Sequence, residues 1–222
     1  VTTPEAEPHS FGSHEVKDRA PDGSVHPSAA PSSATDAASA ALAAALAEGL
    51  LKLPEGRILP VVTAPESVLS RPGDMVDPCD PEIVQLAADL LATMRVSPGC
   101  VGLAAPQVGV SAQLFVVDVT GHPKAAIVHG RFALANAVVM EASRWKAGRE
   151  GCMSVPDLTG DVKRAGRIVV EGQEPGTGRK VTITTDAFEA RALQHEIDHC
   201  QGLLFLDRVS GAHAIYQRKV YL

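Results

Sequence analysis

His195-Glu196-Ile197-Asp198-His199 constrains this chain more than any other stretch. For the two histidines to act together the segment must be a helix, because a spacing of four residues then puts both imidazoles on one face, where they can grip one metal ion. A helix that holds such an ion has to be sunk in a domain that brings up a third ligand and leaves one position open. Glu196 stands beside the first ligand, placed to take or give a proton at bound water. The pattern predicts a buried metal helix and metal-assisted hydrolysis.

The chain has 222 residues, enough for one well-buried domain and some extra length. Its net charge of −6 speaks against nucleic-acid recognition, since an acidic surface repels phosphate. No run approaches the roughly 18 apolar residues of a membrane helix. Val1 to Asp36 lacks the basic start and apolar core of a secretory signal. The expected setting is therefore a reducing cytoplasm, with Cys79, Cys100, Cys152 and Cys200 free or bound to metal.

Residues 1–36 are rich in Pro, Ser, Gly, Thr and Ala and read as a disordered tail. Residues 37–56 form an Ala-rich helix and linker, with Leu42, Leu46, Leu50 and Leu51 at helical spacing and Pro54 and Gly56 as the stop. This helix packs on the domain or serves as an interaction helix. Residues 57–222 are the catalytic domain. In it, Ile58 to Val62 is a short edge segment, and Pro81 to Met94 is a helix with Pro81 in its first turn. Gln113 to Val119 is a strand, Arg131 to Ala142 holds another, and Ile168 to Glu174 with Arg179 to Thr184 makes a hairpin. Asp186 is the N-cap of the metal helix, which ends before Gly202, and Leu203 to Leu206 is a last short strand. Mixed strands with two principal helices give an α+β fold.

Two histidines leave the metal site incomplete. Downstream there is only His213, and no Glu follows at all. The best third ligand lies upstream, in Glu150-Gly151-Cys152-Met153-Ser154. A thiolate at Cys152 suits zinc or ferrous iron. A second segment, Gly102-Leu103-Ala104-Ala105-Pro106-Gln107, allows close backbone approach to a ligand, and the Gln107 amide can donate to a developing oxyanion.

Taken together, residues 102–107, 150–154 and 194–199 resemble the G-L-A-A-x-Q, E-G-C-x-S and Q-H-E-x-D-H motifs of the peptide deformylase family, in the same order. The resemblance spans about Arg57 to Arg208. It implies small mixed and antiparallel sheets around a central metal helix, and removal of the formyl group from the N-terminal formyl-methionine of new proteins. It implies Cys152, His195 and His199 as ligands to one divalent ion, Fe(II) natively with Zn(II) or Ni(II) as substitutes. Glu196 would be the general base, and the Gln107 amide and the Met153 N–H would hold the oxyanion. The backbone of Val101 and Gly102 would pair with the peptide. The methionine side chain would enter a pocket near Val101, Glu150, Phe188 and Ala192, and Arg164 matches an arginine that contacts the peptide further along. Asp198 would brace the site from behind. The partners implied are N-formylmethionyl peptides and, near its exit tunnel, the ribosome.

The chain departs from the family at several positions. Cys100 replaces a glycine and would narrow the mouth of the site, Met153 and Cys200 replace leucines, and Glu189 stands where an apolar residue is commoner. These changes motivate an alternative reading, an amide hydrolase with another acyl group or a small molecule as substrate. A non-catalytic binder of nascent peptides and a true metallopeptidase are the other readings. Retention of Glu196, Gln107 and all three ligands argues against the binder.

Overall fold

In chain order the fold runs α1 (Ser33–Leu50), α2 (Pro81–Val96), β1 (Gly102–Ala104), β2 (Leu114–Asp118), β3 (Arg131–Cys152), β4 (Val155–Gln173), β5 (Lys180–Asp186), α3 (Ala187–Cys200) and β6 (Ile215–Gln217). This is a computed structural model, and it describes residues 33–50 and 52–219. The tail expected over residues 1–36 lies outside the described residues up to residue 32; Ser33–Asp36 belong to α1. Among the described residues no helix is long and apolar enough to cross a membrane.

All strand pairing in the sheet is antiparallel, in the order β1-β2-β3-β4-β5, with β6 on β4. The long β3 and β4 make one hairpin, and β5 and β6 share the other edge of β4 at opposite ends, over Arg167–Gln173 and Leu158–Gly160. The apolar run of β2 is explained by burial on both faces. Leu114 and Val116 pack with Leu86, Leu90 and Met94 of α2. Phe115 and Val117 pack with Phe132, Leu134, Ile183 and with Leu193 and Ile197 of α3. A strand covered on both sides carries apolar residues at every position rather than alternating.

Helix α2 begins where Asp80 accepts a hydrogen bond from the Glu82 N–H at 2.8 Å, with Pro81 at the first helical position. Helix α3 follows β5 directly. The Gln194 amide pins it to β4, accepting from Ala165 N at 3.0 Å and donating to Ala165 O at 2.9 Å. Helix α1 packs Leu46, 2% exposed, into the same cluster as Leu193 and Ile197.

Several elements differ from the sequence expectation. Leu203 to Leu206 is no strand; Phe205–Arg208 is a short 3-10 helix. Gly202 at φ 72° reverses the chain, and the Asp207 carboxylate accepts from Leu204 N at 2.8 Å, which favours a turn over pairing. Asp186 holds the N-cap position of α3 without capping: its side chain makes no cap hydrogen bond, and Ala187 at φ 49° turns the chain away. Ile58 to Val62 forms no strand; Leu59 N donates to Thr93 Oγ1 and Val62 N to Gln107 O. β3 continues ten residues past Ala142, because that half pairs with β4, as in Trp145↔Ala165 and Gly148↔Val162.

Candidate active site

Helix α3 delivers His195 and His199, and the end of β3 delivers Cys152. One donor atom from each lies within 4.8 Å of the other two. Cys152 Sγ is 3.2 Å from His199 Nε2. With metal–ligand bonds of about 2.0–2.3 Å, small rotamer adjustments let one ion reach all three. The two imidazoles stand edge to face, centroids 4.8 Å apart, as the four-residue helical spacing requires.

The electrostatics of the three groups suit a cation. Burial, reinforced by the charge of His195, holds His199 well below its ordinary 6.5, so its ring is neutral and a lone pair is free to bind. Burial also opposes charging of His195, but hydrogen bonding to Cys152 and Glu150 outweighs it and holds the ring up at about 10. The surroundings of His195 thus favour positive charge. The donor set of two imidazoles and a thiol fits a borderline-soft divalent ion.

Glu150 directs His195. Its Oε2 lies 3.0 Å from His195 Nδ1, which leaves Nε2 for the ion. Its other bonds come from Arg164, at 3.0 Å to each oxygen, and from Arg191 Nη1 at 2.7 Å. Although burial opposes ionisation, the hydrogen bonds from His195 and Arg164 hold this carboxyl well below the usual range. Arg164 is bonded in turn to Asp198, which also takes two hydrogen bonds from Arg208.

Glu196 is 3% exposed. Burial is the main influence on it, pushing it up to about 7 against the pull of His195. The carboxylate lies on Gly102: a Cβ there would stand 2.4 Å from Glu196 Oε1. Glycine at 102 is therefore what lets the carboxylate occupy this position. Glu196 Oε2 is buried with no hydrogen-bond partner among the described residues, as expected of a group that meets water or substrate.

Gln107 has one amide orientation. Its Oε1 accepts from Ala104 N at 2.9 Å, so Nε2 is turned to Cys152 Sγ at 3.4 Å and Ser154 Oγ at 3.3 Å. Cavity, ligands and donors come together: a cleft of about 530 Å³ is lined by Val101, Gly102, Gln107, Glu150, Cys152, Met153, Phe188, Ala192, His195 and Glu196.

Among the residues singled out from sequence, His199, Asp198, Glu189 and Arg164 do not line the cleft, and of these Arg164 was expected to touch the peptide. It is 4% exposed, is absent from the cleft lining, and spends its guanidinium on Glu150 and Asp198. In this arrangement the guanidinium faces Glu150 and Asp198 and holds the Glu150 carboxylate in place. Glu150 lines the cleft, but its carboxylate serves His195 and the arginines rather than an apolar side-chain pocket. Glu189 does not line the cleft either; it is fully buried and binds His129 Nδ1 at 2.7 Å, His129 N at 2.8 Å and Thr185 Oγ1 at 2.7 Å.

Cys100 lines the cleft. Burial pushes its thiol up to about 12, and the thiol donates to the Gly102 carbonyl at 3.0 Å. Other lining residues had no signal in the sequence: His122, stacked on Phe188 with centroids 3.5 Å apart, Thr159, Arg149, Arg191 and Arg218. Arg149, Thr159 and Arg191 lie within five residues of a motif, on β3, β4 and α3, whereas His122 and Arg218 come from distant segments; none belongs to a pattern of its own.

The sequence pattern of the Polypeptide deformylase family matches residues 58–214. Peptide deformylase 1 of Bacillus cereus is 40% identical over 153 residues, covering 69% of this chain and 93% of that protein. The peptide deformylase of Symbiobacterium thermophilum is 38% identical over 158 residues, 71% of this chain and 70% of that protein. Among solved structures, the peptide deformylase of Thermotoga maritima aligns with a TM-score of 0.63 at 31% identity, over 70% of this chain and 99% of that one. The Acinetobacter baumannii enzyme bound to Met-Ala-Ser aligns at 0.62 with 33% identity, over 68% and 98%. With the match covering most of its described length, this chain belongs to the polypeptide deformylase family.

Proposed function

We propose that Cys152, His195 and His199 hold one divalent ion, and that Glu196 is the general base with which this deformylase removes the formyl group from N-formylmethionyl peptides. The observation that carries the reading is the buried carboxylate of Glu196 lying against Gly102, on the same helix as two of three converging metal donors. When bound, the ion supplies Lewis acidity that polarises the formyl oxygen and makes water a nucleophile near neutral pH. Iron(II) is the native ion in this reading, with Zn(II) or Ni(II) as working substitutes, since a thiolate and two imidazoles suit all three.

The chain's own groups supply the rest. Glu196 takes a proton from the attacking water and passes it to the leaving amine. The Gln107 Nε2 donors, fixed by the bond from Ala104 N, and the Met153 N–H after the metal cysteine stabilise the oxygen on which negative charge develops. Glu150 keeps the His195 ring in one orientation. The peptide lies along Val101 and Gly102, with the methionine side chain toward Val101, Phe188 and Ala192. The Met-Ala-Ser complex of the Acinetobacter baumannii relative supports a peptide in this cleft. Formylated chains arise during translation, so we place the enzyme in the cytoplasm, meeting its substrates near the ribosomal exit tunnel.

The test is formate release from formyl-Met-Ala-Ser by protein purified without oxygen and loaded in turn with Fe(II), Ni(II) and Zn(II). Glu196→Ala is expected to retain its metal and to lose turnover by at least about a hundredfold, the usual worth of a positioned base. Wild-type turnover in that variant would sink the assigned mechanism.

A further inference from the structure

Four cations line the cleft: Lys124, Arg149, Arg191 and Arg218. Two are already neutralised. Arg149 pairs with Asp161 at 2.7 Å and lies over the Tyr216 ring, and Arg191 pairs with Glu150 at 2.7 Å. Lys124 and Arg218 form no ion pair among the described residues, and of the two only Arg218 carries a planar fork of donors.

Arg218 reaches the cleft by its own route. It follows β6, and its N–H donates to the Asp157 carbonyl at 2.8 Å, which fixes the backbone beside the end of the β3–β4 hairpin. The guanidinium then crosses Gly151: a Cβ at 151 would stand 2.5 Å from Nη2. Nη2 donates to the carbonyl of Cys152 at 3.1 Å. A guanidinium has five N–H donors in a fork matched to a carboxylate. One bond among the described residues leaves most of them for a ligand. Of the carboxylates that line the cleft, Glu150 is committed to His195 and two arginines, and Glu196 is held against Gly102.

We propose that Arg218 is a specificity residue that recognises a carboxylate on the formyl peptide, downstream of the formylated methionine. This rests on reading the cleft as the peptide site of the deformylase. The carboxylate is either an acidic side chain or the free C-terminus of a short peptide, and the same fork accepts both.

The experiment compares kcat/KM of the metal-loaded full chain on four substrates: formyl-Met-Ala-Ser as free acid, its amide, formyl-Met-Ala-Glu amide and formyl-Met-Ala-Lys amide. At low salt at least one carboxylate-bearing substrate is expected to exceed the Ser amide by about tenfold, chiefly through KM, as one charge-assisted pair allows. The Lys amide falls below, and added salt narrows the gap. A gain for the free acid alone identifies a terminal carboxylate as the ligand; a gain for the Glu amide alone identifies a side chain. Arg218→Met is expected to abolish the ratio and Arg218→Lys to keep part of it. A merely structural role through the Cys152 carbonyl would lower all four substrates together and leave the ratio standing. Equal wild-type rates on all four, or a ratio that survives Arg218→Met, overturns the proposal. No formate from any of the four with metal bound would instead overturn the deformylase reading, and the proposal with it.

Discussion

Glu150 is 7% exposed and its carboxylate meets His195, both nitrogens of one edge of Arg164, and Arg191. From sequence it is the residue two before Cys152, and the resemblance gave it to the methionine pocket. The partners that decide its role lie 14, 41 and 45 positions away in the chain, so no local pattern shows them. Its effect on stability has a definite sign. The folded carboxyl is held below its ordinary value of 4.5. The unfolded chain therefore binds its proton first as pH falls. The contribution is fully present above about 4.5 and is lost progressively below it. Glu150→Gln breaks the pair and leaves a buried guanidinium short of charge. The expected cost is about 3 kcal/mol at pH 7, narrowing by pH 3.5, together with a 10- to 100-fold loss of metal affinity. Urea denaturation at the two pH values, with metal content after dialysis, checks it; an equal cost at both would remove the ionised carboxylate from the account.

At the scale of elements, the metal helix was legible because its chemistry and its apolar period coincide. Leu193 and Ile197 face the core, and the histidines follow from the same helical geometry. The second half of β3 was not legible, since residues 141–147 are exposed and pair with β4 on one side only, so their apolar residues, Ala142, Trp145 and Ala147, follow no alternation. Helix α1 was foreseen as a helix packed on the domain or free to bind elsewhere. It lies outside the matched region 58–214, yet packs Leu46 among Phe115, Phe132 and Leu193. Ser39 Oγ on α1 lies 3.0 Å from His129 Nε2, whose other nitrogen is bound by Glu189 on α3. The non-family residue Glu189 thus connects α1 to the metal helix, a role with no sequence pattern of its own. If α1 is an integral part of the core, Leu46→Ala leaves a cavity and costs about 2–4 kcal/mol. Chemical denaturation measures this directly. A change within about 0.5 kcal/mol, as for a surface substitution, would show that the helix does not depend on that contact.

For the molecule as a whole, the question is how far the fold depends on its ion. Helix α3 is held by Leu193 and Ile197 in the core and by Gln194 on β4, independently of the three proposed ligands. In the metal-free chain the imidazole of His195, held up at about 10, faces Cys152 and Glu150, so a proton partly replaces the missing positive charge. The metal-free protein is therefore expected to remain folded. An ion present at a hundred times its Kd still adds about 2.7 kcal/mol to the native state. For a domain of this size that corresponds to roughly 5–10 °C in Tm. Chelation should lower Tm by that amount while the far-ultraviolet circular dichroism at 25 °C stays as it was. Cys152→Ser should start near the lower Tm and respond less to the chelator. Complete unfolding on chelation would mean that the ion, not the apolar seat of α3, organises the core. An unchanged Tm, with metal shown to leave, would mean that the ion was not held by the buried cysteine and histidines.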